Sequence, residues 1–242
     1  MGIFRDGNGR SIKLNICGLT KETDIMLCSI VKIDAVGFRI DRQMTEARTD
    51  KLTPRKAKHL ISKVHQPLNS VVLIDKAGFG DIDHILNLLH PDAVQLQEEH
   101  VSPATVKLLS EKYKQTEFIQ TVYFKPDFPV QKIKKQIDSF IDYIDAITID
   151  INKVDTEAML NWLVCAELTK YIKKKGKHAV MAGKFNAENI EKAIQIVKPD
   201  MVDVLEGACI RHKETKEPLY GMIDNAKVIT LGRIIEKINK TL

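Results

Sequence analysis

Short apolar runs rich in Val, Ile and Phe recur along the chain at intervals of about 22 to 35 residues, at 12–17, 35–40, 70–74, 93–96, 118–124, 146–151, 179–182 and 201–205. Each is short enough for a strand and rich in the residues that suit a buried one. After each run the apolar positions change to helical spacing, predicting helices at about 22–33, 54–65, 80–89, 103–114, 130–143, 156–175, 187–198 and 223–239. Eight strands and eight helices in strict alternation describe an α/β chain whose parallel sheet closes into a single-domain (β/α)8 TIM barrel.

Local signals agree with this pattern. Thr53-Pro54 and Ser102-Pro103 place a capping hydroxyl before a proline at the first helical position, and Asn186 precedes 187–198 in the same way. Lys173-Lys174-Lys175-Gly176-Lys177 reads as a helix C-terminus, where cations meet the negative end of the dipole and glycine supplies the cap. No Ser- or Gly-rich linker marks a second domain, so 1–11 is expected to be an N-terminal extension and 12–242 the barrel. Two connections, 41–53 and 208–222, exceed what a plain barrel needs, and both fall on its catalytic face.

Composition narrows the function. Thirty-seven Lys and Arg against 32 Asp and Glu leave a charge of +5 with both signs interleaved, which favours small anionic ligands weakly and argues against nucleic acid. No apolar run reaches the length of a membrane span, and the start has no signal-peptide stretch, so a cytoplasmic protein is expected. Cys17, Cys28, Cys165 and Cys209 have no metal or redox spacing and are expected to be reduced thiols. The histidines, at 59, 65, 84, 90, 100, 178 and 212, offer no metal-ligand pair, so neither metal nor cofactor is expected.

Functional groups of such a barrel stand at the C-terminal ends of its strands. Those positions hold Cys17, Asp41 or Arg42, Asp75, Gln97 and Glu98, Lys125, Asp150, Gly183 and Lys184, and Glu206 and Gly207. Cys17 and Asp150 are two titratable groups of different type at one rim, a pair able to divide a proton transfer from carbon and a proton delivery to oxygen. Each has a plainer reading: Cys17 as an inert core thiol, Asp150 as a helix cap, and Asp75 as a cap or loop residue. A free thiol near 8.5 is a poor base at neutral pH, and Lys13, on the same face of the strand, is one candidate source of positive potential.

The run Ile16-Cys17-Gly18-Leu19-Thr20 resembles the first-strand signature of phosphoribosylanthranilate isomerases, the single-domain barrels of tryptophan biosynthesis. Further similarities follow in order at Asp34–Phe38, Ala93–Leu96, Asp150, Ala182-Gly183 with Asn186, Glu188-Asn189 and Ala193, and Val202-Asp203-Val204, so the resemblance covers roughly 12–207. It implies an Amadori rearrangement without metal or cofactor, in which an aminoaldose becomes an aminoketose. By position, Cys17 would remove the proton from C2, Asp150 would protonate the ring oxygen, and Asp203 would hold the reacting sugar or amine. Gly183, Lys184 and Gly207 would form the phosphate site, Gln97 would contact substrate, and Arg48 or Arg42 would be the substrate-contacting arginine after the second strand.

The surrounding residues depart from the family pattern. Gln97-Glu98 stands where the family has His-Gly, Lys184 replaces a glycine after the seventh strand, and Leu205-Glu206-Gly207 replaces Ser-Ser-Gly after the eighth. The glycines of the family's loop after the sixth strand are missing, and only Asn161-Trp162 echoes its end. Three functions fit this mixture: the same isomerase reaction, related chemistry on another aminosugar phosphate, or an inactive barrel that serves as a binding or scaffold protein. The ligand expected from the resemblance is a small phosphorylated aminosugar, with the oligomeric state open.

Overall fold

In the computed structural model, which describes residues 2–5, 11–41, 48–75, 77–97, 101–124, 129–151 and 159–242, the strands and helices alternate along the chain. They are β1 (Lys13–Cys17), α1 (Glu22–Val31), β2 (Ala35–Ile40), β3 (Lys51–Leu52), α2 (Pro54–Ile61), β4 (Asn69–Ile74), α3 (Phe79–Leu89), β5 (Ala93–Gln97), α4 (Pro103–Lys112) and β6 (Glu117–Tyr123). There follow α5 (Val130–Phe140), β7 (Ala146–Asp150), α6 (Met159–Lys174), β8 (His178–Gly183), α7 (Ile190–Val197), β9 (Met201–Val204), β10 (Cys209–Arg211), β11 (Pro218–Ile223) and α8 (Asn225–Asn239). Strands β1, β2 and β4 to β9 pair in parallel with their neighbours, and β1 pairs with both β2 and β9, which closes the (β/α)8 barrel. Arg42, Glu98, His100 and Lys125 lie outside the described residues.

Capping chemistry sets several helix starts. Thr53 accepts from the Lys56 amide and Ser102 from the Thr105 amide, each with a proline in the first turn. Asn186 behaves differently from expectation: its side chain accepts from Glu188 and Asn189 amides in a turn, and α7 starts only at Ile190. The basic run at 173–177 does end a helix, with Gly176 in the left-handed region at φ 76°. No helix among the described residues is long and apolar enough to cross a membrane.

The two long connections contain structure that the hydrophobic pattern did not predict. β3 adds to the edge of β2 through Arg39↔Lys51 and Ile40↔Leu52, and β10 and β11 form an antiparallel hairpin above β9. β3 has two residues and β10 three, too few to show alternation, and β11 is broken by Pro218 and Gly221, so these segments gain their order from what they pack on.

Strand alternation sorts the ring interior into layers. At the N-terminal end Ala35, Val71, Ala93, Ile119, Ala146, Val180 and Met201 pack with Ile3 and Phe4 into a small core separate from the main one. Residues 3–5, within the expected extension, therefore close this end of the barrel. The buried Glu117 carboxylate accepts from the amides of Ile3 (2.8 Å), Phe4 (2.9 Å) and Arg5 (2.7 Å). Lys13 belongs to this end too, donating from Nζ to the Ile3 carbonyl, so it is no source of potential for Cys17. Above lies a polar layer that includes Asn15, Gln95, Thr121, Thr148 and Asp203, and the same parity then carries Cys17, Arg39, Asp75, Gln97, Tyr123 and Asp150 to the C-terminal mouth.

Candidate active site

Cys17 ends β1 with its sulfur over Gly37 of β2: a Cβ built on Gly37 would lie 2.9 Å from Sγ. The thiol is fully buried, and burial pushes it well above its ordinary range, with Asp203 and Asp50 acting in the same direction and Arg39 and Arg48 against it. The next inward residue of β2 is Arg39, whose guanidinium pairs with Asp75 at 2.9 Å and lies 3.5 Å from Asp50. Asp75 is thus an ion-pair partner in the mouth, also 3.7 Å from Lys51, and not a helix cap.

Asp50 has no exposed side-chain surface and is gripped a second time by Arg48, Nε to Oδ1 at 3.0 Å and Nη2 to Oδ2 at 2.8 Å. The Arg48 guanidinium lies 3.9 Å over the Tyr220 ring, and the Tyr220 hydroxyl donates to Glu206 at 2.8 Å. The hairpin thereby leans on the connection after β2, a contact reinforced by Thr20 donating to the Gly221 carbonyl. Tyr220 is pushed up to about 12 by burial and by its bond to Glu206.

Across the mouth, Asp150 ends β7 on the inward face. Between it and Cys17 stands Asp203 of β9, buried and accepting from Asn15 Nδ2 at 2.8 Å. Burial raises Asp203 to about 7; the negative charge of Asp150 adds to this, whereas Asn15 and Arg39 oppose it. Cys17, Asp203 and Asp150 therefore form one electrostatically connected arc. Gln97 is buried at the end of β5 and accepts from the Tyr123 hydroxyl.

The third group of expected residues lies at the tops of β8 and β9. Gly183 packs against Ile151 and Phe185, and a Cβ on Gly207 would fall 1.7 Å from the Phe185 carbonyl oxygen, so these glycines let the two loops touch. Lys184 is exposed at this corner. Glu206, half-buried, is engaged by Tyr220.

Sequence reasoning missed Arg39, Asp50 and Tyr220. Arg39 left one signal, a lone charge at the fifth position of an otherwise apolar strand, with the parity of Gly37. Asp50 and Tyr220 left none.

Known proteins identify the lineage. The family model for N-(5'-phosphoribosyl)anthranilate (PRA) isomerase matches residues 14–208. The chain belongs to the phosphoribosylanthranilate isomerase family. It is 28% identical over 237 residues to the N-(5'-phosphoribosyl)anthranilate isomerase of Methanocaldococcus jannaschii, covering 94% of this chain and 98% of that one. It is 28% identical over 232 residues to the Bacillus cereus protein of the same name, with 89% and 98% covered. In fold it matches the phosphoribosyl anthranilate isomerase of Thermotoga maritima with a TM-score of 0.71 at 19% identity, over 96% of this chain and 100% of that one. A phosphoribosyl anthranilate isomerase solved with reduced 1-(o-carboxyphenylamino)-1-deoxyribulose 5-phosphate has a TM-score of 0.69 at 19% identity, over 93% and 99%. The chain is thus an isomerase of the phosphoribosylanthranilate isomerase type.

Proposed function

We propose that Cys17 and Asp150 divide the proton transfers by which this isomerase converts N-(5'-phosphoribosyl)anthranilate into its 1-deoxyribulose 5-phosphate aminoketose. The observation that carries the reading is the inward placement of a thiol and a carboxylate at the C-terminal ends of β1 and β7, on either side of the buried Asp203.

The protonated Asp150 carboxyl gives its proton to the ring oxygen as the C1–O bond breaks, and the nitrogen lone pair forms the C1=N bond of an open-chain iminium. The Cys17 thiolate then removes the proton from C2, and the C–H electrons flow through C1 to nitrogen, leaving an enolamine that tautomerises to the ketone. Cys17 ends protonated and Asp150 ionised, and exchange with solvent resets both. Asp203 holds the amine or sugar hydroxyl between them, and Gln97 contacts the substrate. Gly183, Lys184 and Gly207 hold the phosphate, with Glu206 kept on Tyr220 and away from the anion.

Cys17→Ala and Asp150→Asn should each lower kcat by about 10² to 10⁴-fold with product affinity changed only a few-fold, because each group acts mainly in the transition state. The loss of substrate fluorescence on reaction with freshly made phosphoribosylanthranilate measures this. Residual activity above about a tenth of the parent would move the role to another residue. A second reading, the same rearrangement on another aminosugar phosphate, is favoured by one observation: Arg48, expected to contact the substrate, is already in bidentate pairing with the buried Asp50. Turnover of aminosugar phosphates lacking the aryl carboxylate, with none of phosphoribosylanthranilate, would select it.

A further inference from the structure

We propose that Arg39 is the positioning residue of the proton-abstracting site, supplying from β2 the positive charge against which the Cys17 thiolate forms. The inference rests on the reading of Cys17 as the base and adds the group that makes such a base workable.

The geometry is that of two neighbouring strands. Cys17 is paired in register with Gly37, and its sulfur occupies the space that a side chain at Gly37 would take. Arg39 is the next residue of β2 on that inward face, a diagonal position that long side chains span readily. Its guanidinium is largely buried and held by Asp75 at 2.9 Å and Asp50 at 3.5 Å. The contact to Asp50 runs through Nε, which at that distance makes no hydrogen bond among the described residues, although buried donors are nearly always paired. From that diagonal position the guanidinium charge acts on Cys17 in the direction that favours the thiolate.

The charges around Cys17 are Arg39 from β2, Arg48 and Asp50 from the connection before β3, and Asp203 from β9, with Asp150 acting through Asp203. Asp203 and Asp50 oppose a thiolate, and burial opposes it more strongly. Arg48 is bound to Asp50 through two hydrogen bonds, whereas Arg39 reaches Asp50 only at 3.5 Å, through an Nε that makes no hydrogen bond among the described residues. Lys13, the one basic residue of β1, donates at the opposite end of the barrel.

The test is to titrate the ultraviolet thiolate absorbance of the folded protein, subtracting the same titration of Cys17→Ser so that the other cysteines cancel. Arg39→Met should raise the Cys17 midpoint by about one pH unit, a tenfold weaker thiol acid. The acid limb of kcat/KM should move up by the same amount. Arg39→Lys, which keeps the charge, should restore most of both. Arg39→Met combined with Asp75→Asn removes the carboxylate that the single variant strands, and should show the same upward shift if Arg39→Met alone folds poorly. An unchanged midpoint in either folded variant overturns the inference. So does a rise in KM with the acid limb unmoved, which would make Arg39 a substrate anchor. Because the titration needs no turnover, it stands apart from the base assignment: an active Cys17→Ala enzyme would end that assignment and leave the coupling of Arg39 to Cys17 measurable.

Discussion

Replacing Gly37 by alanine tests the placement of the thiol with a single methyl group. The new Cβ would meet Cys17 at three atoms, Sγ at 2.9 Å, Cα at 3.0 Å and Cβ at 3.1 Å. Carbon contacts are relaxed at about 3.5 to 4.0 Å, so the pair must separate by roughly 0.5 to 1 Å. Neither side yields easily, since one of the contacts is backbone and the Gly37 carbonyl accepts from the Gly18 and Leu19 amides at 2.9 and 3.1 Å. Overpacking of this kind costs about 1 to 3 kcal/mol, and a reacting group displaced by about 1 Å loses on the order of 10² in rate. Urea unfolding and fluorescence-monitored turnover measure the two effects. In a Cys17→Ala background the nearest clashing atom is gone, so the stability loss from Gly37→Ala should shrink by about 0.5 to 1 kcal/mol, read as the coupling of a double-mutant cycle. Gly80→Ala is the control: nothing lies within 4 Å of its Cβ, and in a helix it should be neutral or stabilise by up to about 1 kcal/mol. Gly37→Ala with kcat within about threefold of the parent, against the roughly 10²-fold expected, would refute this placement of the sulfur.

Asp203 should make the fold less stable as pH rises. Its folded value of about 7 lies above the ordinary 3.8, so between about 4 and 7 the folded state holds a proton that the unfolded chain has released. Stability falls across that window by at most about 4 kcal/mol and levels off above it, a slope that Asp203→Asn should remove from paired urea titrations; parallel pH profiles would count against the raised value. Lys184→Ala should weaken calorimetric binding of the phosphorylated product by about tenfold at low salt, with the gap narrowing as salt screens the pair; equal affinities would place the phosphate elsewhere. Glu117→Gln swaps a carboxylate that accepts three backbone amides for a group with one acceptor oxygen, and should cost about 3 kcal/mol in unfolding experiments, with unchanged stability refuting the N-terminal closure.

The order of elements is legible in the chain because strand and helix leave different periods in apolar positions, and the hydroxyl-proline pairs at Thr53 and Ser102 mark helix starts through bonds made within one turn. Strand ends can be found the same way, which is why Cys17 and Asp150 stand out from the sequence alone. What the sequence could not contain was the set of partners that ring closure brings together: Asn15 with Asp203, 188 residues apart, or Arg48 with Tyr220. The direction of Lys13, the double grip on Asp50, the plug formed by Ile3 and Phe4, and the raised pKa of Asp203 all depend on such contacts. Local periodicity is written residue by residue, but desolvation and charge pairing depend on where the whole chain excludes water, and only the closed barrel decides that.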